Sequence, residues 1–174
     1  VMYTHLSLAS SFMGIDEEQI IDICNKHQVS IVLNPAPYLK EFDKSYLDKV
    51  DYYIPNELEL ASTLGIESFS SKDDFERHGL AFANDYGLSL IVTLGSKGSV
   101  LFSDNDIIYV EAIKSNVIDT TAAGDTYIGA LVSAFTQGSK LVDAMHYASK
   151  ASSFCIGKKG AQSSIPYQND LSTY

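Results

Sequence analysis

The sequence predicts an α/β fold, with a mostly parallel β-sheet, helices on both of its faces and a small antiparallel hairpin. Short β-rich segments such as Val29–Leu33 alternate with helical patterns such as Asp16–His27, and this alternation is typical of parallel sheets. The strand segments are apolar almost throughout, as expected for strands buried on both faces. Two further β-rich runs flank Asp104-Asn105, which predicts a hairpin.

Capping residues predict where the helices of the first half begin and end. Asn56 is a good N-cap for a helix that ends at Gly65. Ser71, three residues before Asp74, resembles a capping box that opens a second helix, and Gly87 is expected to end it. The predicted strands of this half are Val1–Leu6, Val29–Leu33 and Val50–Ile54, and the Asn34-Pro35-Ala36-Pro37 run predicts a loop.

The second half continues the alternation and places polar residues at the ends of strands. Asn34, Asn56, Gly95 and Asp125 follow candidate strands or begin helices, so we expect them at the edge of the sheet where ligands bind. The elements are a strand Leu88–Leu94, a turn Gly95–Gly98, strands Val100–Phe102 and Ile107–Val110, and helices Ala123–Thr136 and Leu141–Phe154.

Composition restricts the classes of partner. The chain has 174 residues and a formal net charge of −10, which argues against nucleic acid, because phosphate contacts there depend on Lys and Arg. A nucleotide held by local N–H groups and Mg²⁺ is still compatible with this charge. No apolar run approaches the roughly 20 residues of a membrane span, so we expect no membrane partner.

Two features bear on location and completeness. Cys24 and Cys155 lack metal-like spacing, which favours two reduced thiols in a cytoplasmic protein. The first residue is Val rather than Met, and the opening residues already have a strand pattern. We therefore expect residues 1–174 to form one domain that is part of a longer protein.

The run Val117–Tyr127 is the most informative stretch, because Asp119 and Asp125 flank a turn of small residues that opens an apolar helix. Unpaired N–H groups and the helix dipole favour an anion at such a turn. A carboxylate there fits a base that takes the proton of an alcohol attacking a bound phosphate. A plain loop with a helix cap is the alternative. The functional interpretation assigns the base to Asp125 and the amides of the cradle to Ala122, Ala123 and Gly124.

Two other motifs are compatible with a bound nucleotide. Asn56 and Glu59 share a helix face and would order the waters of Mg²⁺, although a capped helix with an acidic first turn explains them equally well. Thr93-Leu94-Gly95-Ser96-Lys97-Gly98 offers hydroxyls, a charge and two glycines that allow close approach of phosphate. Its alternative is a simple strand–turn–strand, and it is not a P-loop.

Five segments together resemble the PfkB family of sugar kinases, and within it the ribokinases. In family order they are Asn34-Pro35-Ala36-Pro37, Pro55-Asn56-Glu57-x-Glu59, Thr93–Gly98, Asp119–Asp125 and Lys159-Gly160-Ala161-Gln162-x-Ser164-Ile165-Pro166. The resemblance implies a three-layer α/β/α, ribokinase-like (Rossmann-like) fold. It also implies transfer of the ATP γ-phosphoryl group to a primary hydroxyl of a sugar, with D-ribose giving ribose 5-phosphate as the expected reaction.

The resemblance further implies roles for individual residues. Asp125 would be the catalytic base, with Ala122, Ala123 and Gly124 forming the anion hole. ATP and Mg²⁺ would be bound by Asn56, Glu59, Thr93, Gly95, Ser96, Lys97, Gly98 and Ser149. K⁺ would be held, mostly by backbone carbonyls with the Asp119 and Ser164 side chains, at Asp119, Thr121, Cys155, Lys158, Gly160 and Ser164.

Departures from the family pattern leave alternatives open. The family's sugar-binding Gly-Gly and Asn/Asp motifs and its lid strands lie upstream of Val1, so we expect the chain to be a C-terminal part. Ser7-Leu8-Ala9-Ser10-Ser11 stands where the family usually has a sugar-contacting Glu. The alternatives are a fructokinase or nucleoside kinase of the same family, or a truncated, non-catalytic nucleotide-binding module. A homodimer is expected only of the longer protein.

Overall fold

A computed structural model describes residues 2–7, 17–36 and 43–172. Their contacts divide the chain into two compact units, Val1–Thr93 with Val100–Ile108 and Leu94–Ser99 with Tyr109–Tyr174. Residues 8–11 stand where the family usually has a sugar-contacting Glu, and they lie outside the described part of the chain, as do Asp16 and Pro37.

In the part of the chain that the structure describes, six strands form one sheet whose order follows the sequence. The first four strands pair in parallel, whereas the last three follow one another through short connections and are antiparallel. Asp104 and Asn105 both have positive φ, 52° and 66°, as a two-residue hairpin turn requires. The predicted class, a mostly parallel α/β sheet with an antiparallel hairpin, is confirmed. The strands are β1 Tyr3–Ser7, β2 Ser30–Asn34, β3 Tyr52–Tyr53, β4 Ser89–Thr93, β5 Ser99–Ser103 and β6 Asp106–Val110.

The described residues of the first unit form three α-helices, and capping residues mark both ends of two of them, α2 and α3. Gly65 and Gly87 end α2 and α3 in the left-handed conformation, with φ of 74° and 63°. The capping box predicted at Ser71 is only half correct: Ser71 Oγ accepts from the Asp74 amide, but the Asp74 carboxylate accepts from Ser70 N instead. The helices are α1 Glu17–Lys26, α2 Glu57–Leu64 and α3 Lys72–Tyr86, with a 3-10 helix at Lys44–Lys49.

Close packing in the first unit explains a glycine within α3. The residues at the centre of β2 and β4 are fully buried, as expected of parallel strands covered on both faces. A Cβ placed on Gly79 would lie 2.6 Å from Phe102 Cζ. Phe102 is itself fully buried, so α3 approaches β5 at a distance that only glycine allows.

The second unit is built on two packed helices. Leu131 of α4 and Met145 of α5 are fully buried, and the small side chains of Ala144 and Ala148 beside Met145 allow the two helices to pack closely. No helix in the described part of the chain has the length and apolar character needed to cross a bilayer. The helices are α4 Ala123–Thr136, α5 Leu141–Ile156 and α6 Gln168–Ser172, with 3-10 helices at Gly95–Lys97 and Gln162–Ser164.

Candidate active site

The turn before α4 leaves backbone amides open at the start of the helix. Ala122 takes the left-handed conformation, with φ 62°, and its carbonyl accepts the first helical hydrogen bond from Thr126 N at 2.9 Å. Ala123 N, which was expected in the anion cradle, donates to Thr120 O at 3.2 Å. Within the described residues the amides of Ala122, Gly124 and Asp125 have no hydrogen-bond partner, so an anion could meet these three, two of which, Ala122 and Gly124, belong to the predicted cradle.

Asp125 itself is the third residue of α4 and is exposed. A carboxylate in the first turn interacts favourably with the helix dipole, so no unusual partner is needed to hold it there. Its neighbour Thr126 is only 4% exposed, and its hydroxyl has no hydrogen-bond partner among the described residues. Because Asp125 is exposed, its carboxylate faces solvent, where an alcohol could reach it, whereas the adjacent Thr126 is buried.

The Gly95–Gly98 turn is a short 3-10 turn closed by three backbone hydrogen bonds, from Leu94 N to Gly98 O at 2.8 Å, from Lys97 N to Leu94 O at 3.2 Å and from Gly98 N to Gly95 O at 3.0 Å. Gly98 has φ 98° and ψ −129°, and a Cβ there would lie 2.0 Å from Val110 O. Glycine is therefore required at this position by both conformation and space. Ser96 and Lys97, with Gly95, are exposed at the tip of the turn.

Three polar residues meet at the carboxyl ends of β2, β3 and β4 in the first unit. Asn34 Nδ2 donates to Ile54 O at 2.9 Å. Asn56 forms an isolated parallel bridge with Thr93, and Thr93 N donates to Pro55 O at 3.0 Å. Of the four residues predicted at one edge of the sheet, Asn34 and Asn56 thus lie at neighbouring strand ends in this unit, whereas Gly95 and Asp125 belong to the second unit.

Asn56 and Glu59 form a complete capping box, which is the alternative interpretation considered for them. Glu59 N donates to Asn56 Oδ1 at 2.9 Å, and Asn56 N donates to Glu59 Oε2 at 2.8 Å. Burial raises the pKa of Glu59, and the hydrogen bond from Asn56 partly opposes this. Within the described residues Glu59 Oε1 accepts no hydrogen bond, so one carboxylate oxygen is left for a water or a cation.

Asp119 acts as a clamp between two loops of the second unit. Its Oδ1 accepts from Thr121 N at 2.9 Å, and its Oδ2 accepts from Gly160 N at 3.0 Å. Hydrogen bonds from Thr121 and then from Gly160 lower the pKa of Asp119 to about 2. The structure therefore brings these three residues of the predicted K⁺ site together through the carboxylate.

The remaining residues of the predicted K⁺ site join the same cluster. Cys155 Sγ lies 3.7 Å from Thr121 O and 3.1 Å from Ser164 Oγ. The Ser164 hydroxyl donates to Ala161 O at 2.6 Å, and Lys158 N donates to Cys155 O at 3.1 Å. No group of three or more His, Cys, Asp or Glu side chains within the described ranges could hold a metal ion, so a cation here would depend on carbonyl oxygens.

Ser149, placed by the resemblance near adenine, is 7% exposed and donates to Glu111 O at 3.2 Å.

An open cavity of about 490 Å³ in the second unit is lined by Lys114, Ser115, Asn116 and Gly157. No sequence pattern indicates a role for these four residues, because the Lys-Ser-Asn run carries no motif.

Similar proteins place these features in a family. The family model described as pfkB family carbohydrate kinase matches residues 3–168. A deoxyribokinase of Salmonella typhi is 35% identical over 155 residues, 88% of this chain and 50% of that protein. A ribokinase of Staphylococcus aureus (strain COL) is 37% identical over 151 residues, 86% of this chain and 49% of that protein.

A solved structure of Arabidopsis thaliana ribokinase, complexed with ribose and ATP, superimposes with a TM-score of 0.83 at 26% identity. It covers 98% of this chain, which corresponds to 55% of the Arabidopsis chain. The chain spans about half the length of the curated relatives it matches. Because the family match extends over nearly the whole chain, from β1 to α6, the chain belongs to the pfkB family of carbohydrate kinases.

Proposed function

We propose that this chain is the nucleotide-binding and catalytic part of an ATP-dependent sugar kinase, a phosphotransferase whose acceptor is D-ribose. One observation carries the proposal: the exposed carboxylate of Asp125 lies in the first turn of α4, beside the unpartnered amides of Gly124 and of Asp125 itself. Family membership supports the reaction class. The names of the relatives, and the ribose and ATP in the Arabidopsis structure, support the choice of substrates.

The chain's own residues divide the reaction into two tasks. The Asp125 carboxylate accepts the proton of the attacking primary hydroxyl, and this raises the nucleophilicity of that oxygen. The amides of Gly124 and Asp125 donate to the oxygens of the γ-phosphoryl group, where charge is concentrated during transfer. Because these donors are fixed by the helix, they need no reorganisation when the phosphoryl group moves.

Two cations implied by the family fit residues of this chain. Glu59 Oε1 is available for Mg²⁺ or its waters, while Oε2 stays in the capping box with Asn56. The Asp119 cluster offers carbonyl and hydroxyl oxygens suited to K⁺. Bound Mg²⁺ would neutralise the charge of the ATP phosphates, and bound K⁺ would add positive charge near the start of α4.

The catalytic role of Asp125 is tested by Asp125→Asn in the protein that carries this chain. We expect kcat to fall by at least ~10²-fold, the range for loss of a general base, with little change in affinity for MgATP. Asp143→Asn is a matched control, because Asp143 is also an exposed third residue of a helix, α5. Turnover by Asp125→Asn close to that of Asp143→Asn would rule out the proposed base.

The sugar is tested with a panel of acceptors. D-ribose is expected to give the highest kcat/KM, ahead of 2-deoxyribose, fructose and nucleosides. Because a deoxyribokinase is among the relatives, a preference for 2-deoxyribose would move the assignment to that sugar. Preference for fructose or a nucleoside would assign one of the other family activities.

The cation cluster is tested by comparing rates in matched KCl and NaCl. We expect activation by K⁺, and equal rates in the two salts would count against the Asp119 cluster as a cation site.

The non-catalytic alternative is tested by titrating the chain with MgATP and then with ribose: binding of MgATP without sugar binding or turnover would favour it. The homodimer stays a prediction.

A further inference from the structure

A buried hydrogen bond joins the Gly95–Gly98 turn to the helix that carries Asp125. Ser99, which directly follows Gly98, places its Oγ 2.8 Å from the hydroxyl of Tyr127, two residues after Asp125. Ser99 is fully buried and Tyr127 is 5% exposed. The bond therefore connects the backbone next to the turn with the backbone next to the carboxylate, through two shielded side chains.

Burial shields this bond from solvent. Because Ser99 and Tyr127 are both buried, their hydroxyls exchange the bond with water rarely. Burial raises the pKa of Tyr127 to about 12, with the bond to Ser99 partly opposing the shift. The phenol is therefore neutral, and the bond persists, over the whole pH range in which an enzyme of this kind would be assayed.

The turn is fixed on its other side as well. Gly98 packs against Val110 O so closely that no side chain fits between them. Val110 is the last residue of β6, and the carbonyl of the following residue, Glu111, accepts a hydrogen bond from the Ser149 hydroxyl of α5. The turn thus cannot shift toward Val110. Tyr127 hydrogen-bonds to Ser99 and so links the turn to α4.

We propose that Tyr127 and Ser99 are a positioning pair, whose hydrogen bond sets the Gly95–Gly98 turn at the correct distance from Asp125. The proposal rests on the proposed function, in which the turn contacts ATP and Asp125 receives the proton of the sugar. Neither side chain touches a substrate. Their effect comes through alignment, to which transfer between two bound groups is sensitive: a misplacement of about 1 Å can cost ~10²-fold in rate.

The test is a double-mutant cycle with Tyr127→Phe, Ser99→Ala and the double variant. Each single variant leaves one buried hydroxyl without a partner and is expected to be less stable, whereas the double variant removes both hydroxyls and should recover most of that stability. If the bond serves only stability, kcat recovers along with it. If the bond positions the turn, the double variant folds well but its kcat stays about 10-fold below wild type, since only part of the ~10²-fold limit is expected.

A matched control uses a similar bond in the first unit. The Tyr53 hydroxyl lies 2.8 Å from Thr63 Oγ1, and both residues are buried. Tyr53→Phe is expected to lose stability while keeping kcat within about twofold of wild type. An equal fall in kcat in Tyr53→Phe would show a general effect of lost stability and would overturn the positioning role.

A second measurement needs no turnover. Amide hydrogen exchange of the chain should be faster at Lys97 and Gly98 in the double variant than in wild type, although the unfolding midpoints are similar. Unchanged exchange there, or wild-type kcat in the double variant, overturns the proposal. Loss of turnover in Asp125→Asn alone, with a fully active double variant, would retain the proposed function and remove only the positioning pair.

Discussion

Gly98→Ala is the substitution for which the structure predicts the largest local effect. The φ of 98° and ψ of −129° at Gly98 are strained for any residue with a Cβ. The new methyl group would lie 2.0 Å from Val110 O, 2.6 Å from Ala112 N and 2.8 Å from the Glu111 carbonyl carbon. All three are backbone atoms, so no side chain can rotate away to make room.

The expected magnitude follows from these two costs. Holding a non-glycine residue in a sparsely populated conformation costs ~1–3 kcal/mol, and overpacking against fixed atoms adds ~1–3 kcal/mol. Gly95→Ala in the same turn is the matched control, because Gly95 has φ 58° but no atom within 4 Å of its Cβ position. Its cost is about 1 kcal/mol, since the left-handed penalty is partly offset by a less flexible unfolded chain.

Thermal and urea unfolding of the two variants measure this difference. Gly98→Ala should be at least about 1 kcal/mol less stable than Gly95→Ala, which corresponds to about 2 °C or more in melting temperature at this chain length. Equal stabilities would mean that the turn relaxes away from Val110 at little cost. That result would contradict the close approach on which the fixed position of the turn depends.

Three further outcomes are expected. Gly79→Ala should lower the stability of the protein by ~1–3 kcal/mol, because the new methyl group meets the fully buried Phe102 ring and this outweighs the higher helix propensity of Ala. Gly129→Ala, which has nothing within 4 Å of the new methyl group, should be neutral or stabilising. Urea unfolding compares the two variants. Asn56→Ala should cost about 1 kcal/mol through loss of the N-cap, seen as a lower urea midpoint. The folded pKa of Asp119, about 2, lies below its unfolded value of ~3.9, so its contribution is present above about pH 4 and lost on acidification toward pH 2. Urea midpoints of wild type and Asp119→Asn should therefore converge over that interval, and a constant gap would contradict the clamp.

Local signals in the sequence were sufficient for the fold, because each helix end depends on residues close by. Asn56, Gly65 and Gly87 each satisfy backbone groups of the helix that they begin or end, so the chain needs no distant partner at these points. The turn of the antiparallel hairpin is likewise local, because Asp104 and Asn105 supply its two positive φ angles. The box at Ser71 was predicted only in part, since Ser70 competes for the same carboxylate and spacing does not separate the two.

The site was harder to predict, because residue type and spacing do not decide which partner each hydrogen-bonding group takes. Sequence alone placed Ala123 in the anion cradle, but only the fold shows that Thr120 O takes its amide. In the same way Asp119 could be assigned to a cation, yet the contact with Gly160, 41 residues later, is visible only once the two loops are in place. Residue type indicated the chemistry, and the partners of each group required the structure.

The Ser99–Tyr127 bond illustrates what type and spacing leave undetermined. A tyrosine in the apolar pattern of α4 is readily explained by packing, and a serine after Gly98 by the turn. Yet a buried phenol needs a hydrogen-bond partner, and Tyr127 lies within a helix whose own backbone is already paired. Its partner must therefore come from another segment. In the proposed function the Gly95–Gly98 turn and the start of α4 bind parts of the same reacting complex. Ser99, which supplies the hydrogen-bond partner of Tyr127, then also sets the distance between these two segments. A buried polar pair beside two binding segments can therefore control the alignment of the reacting groups without touching them.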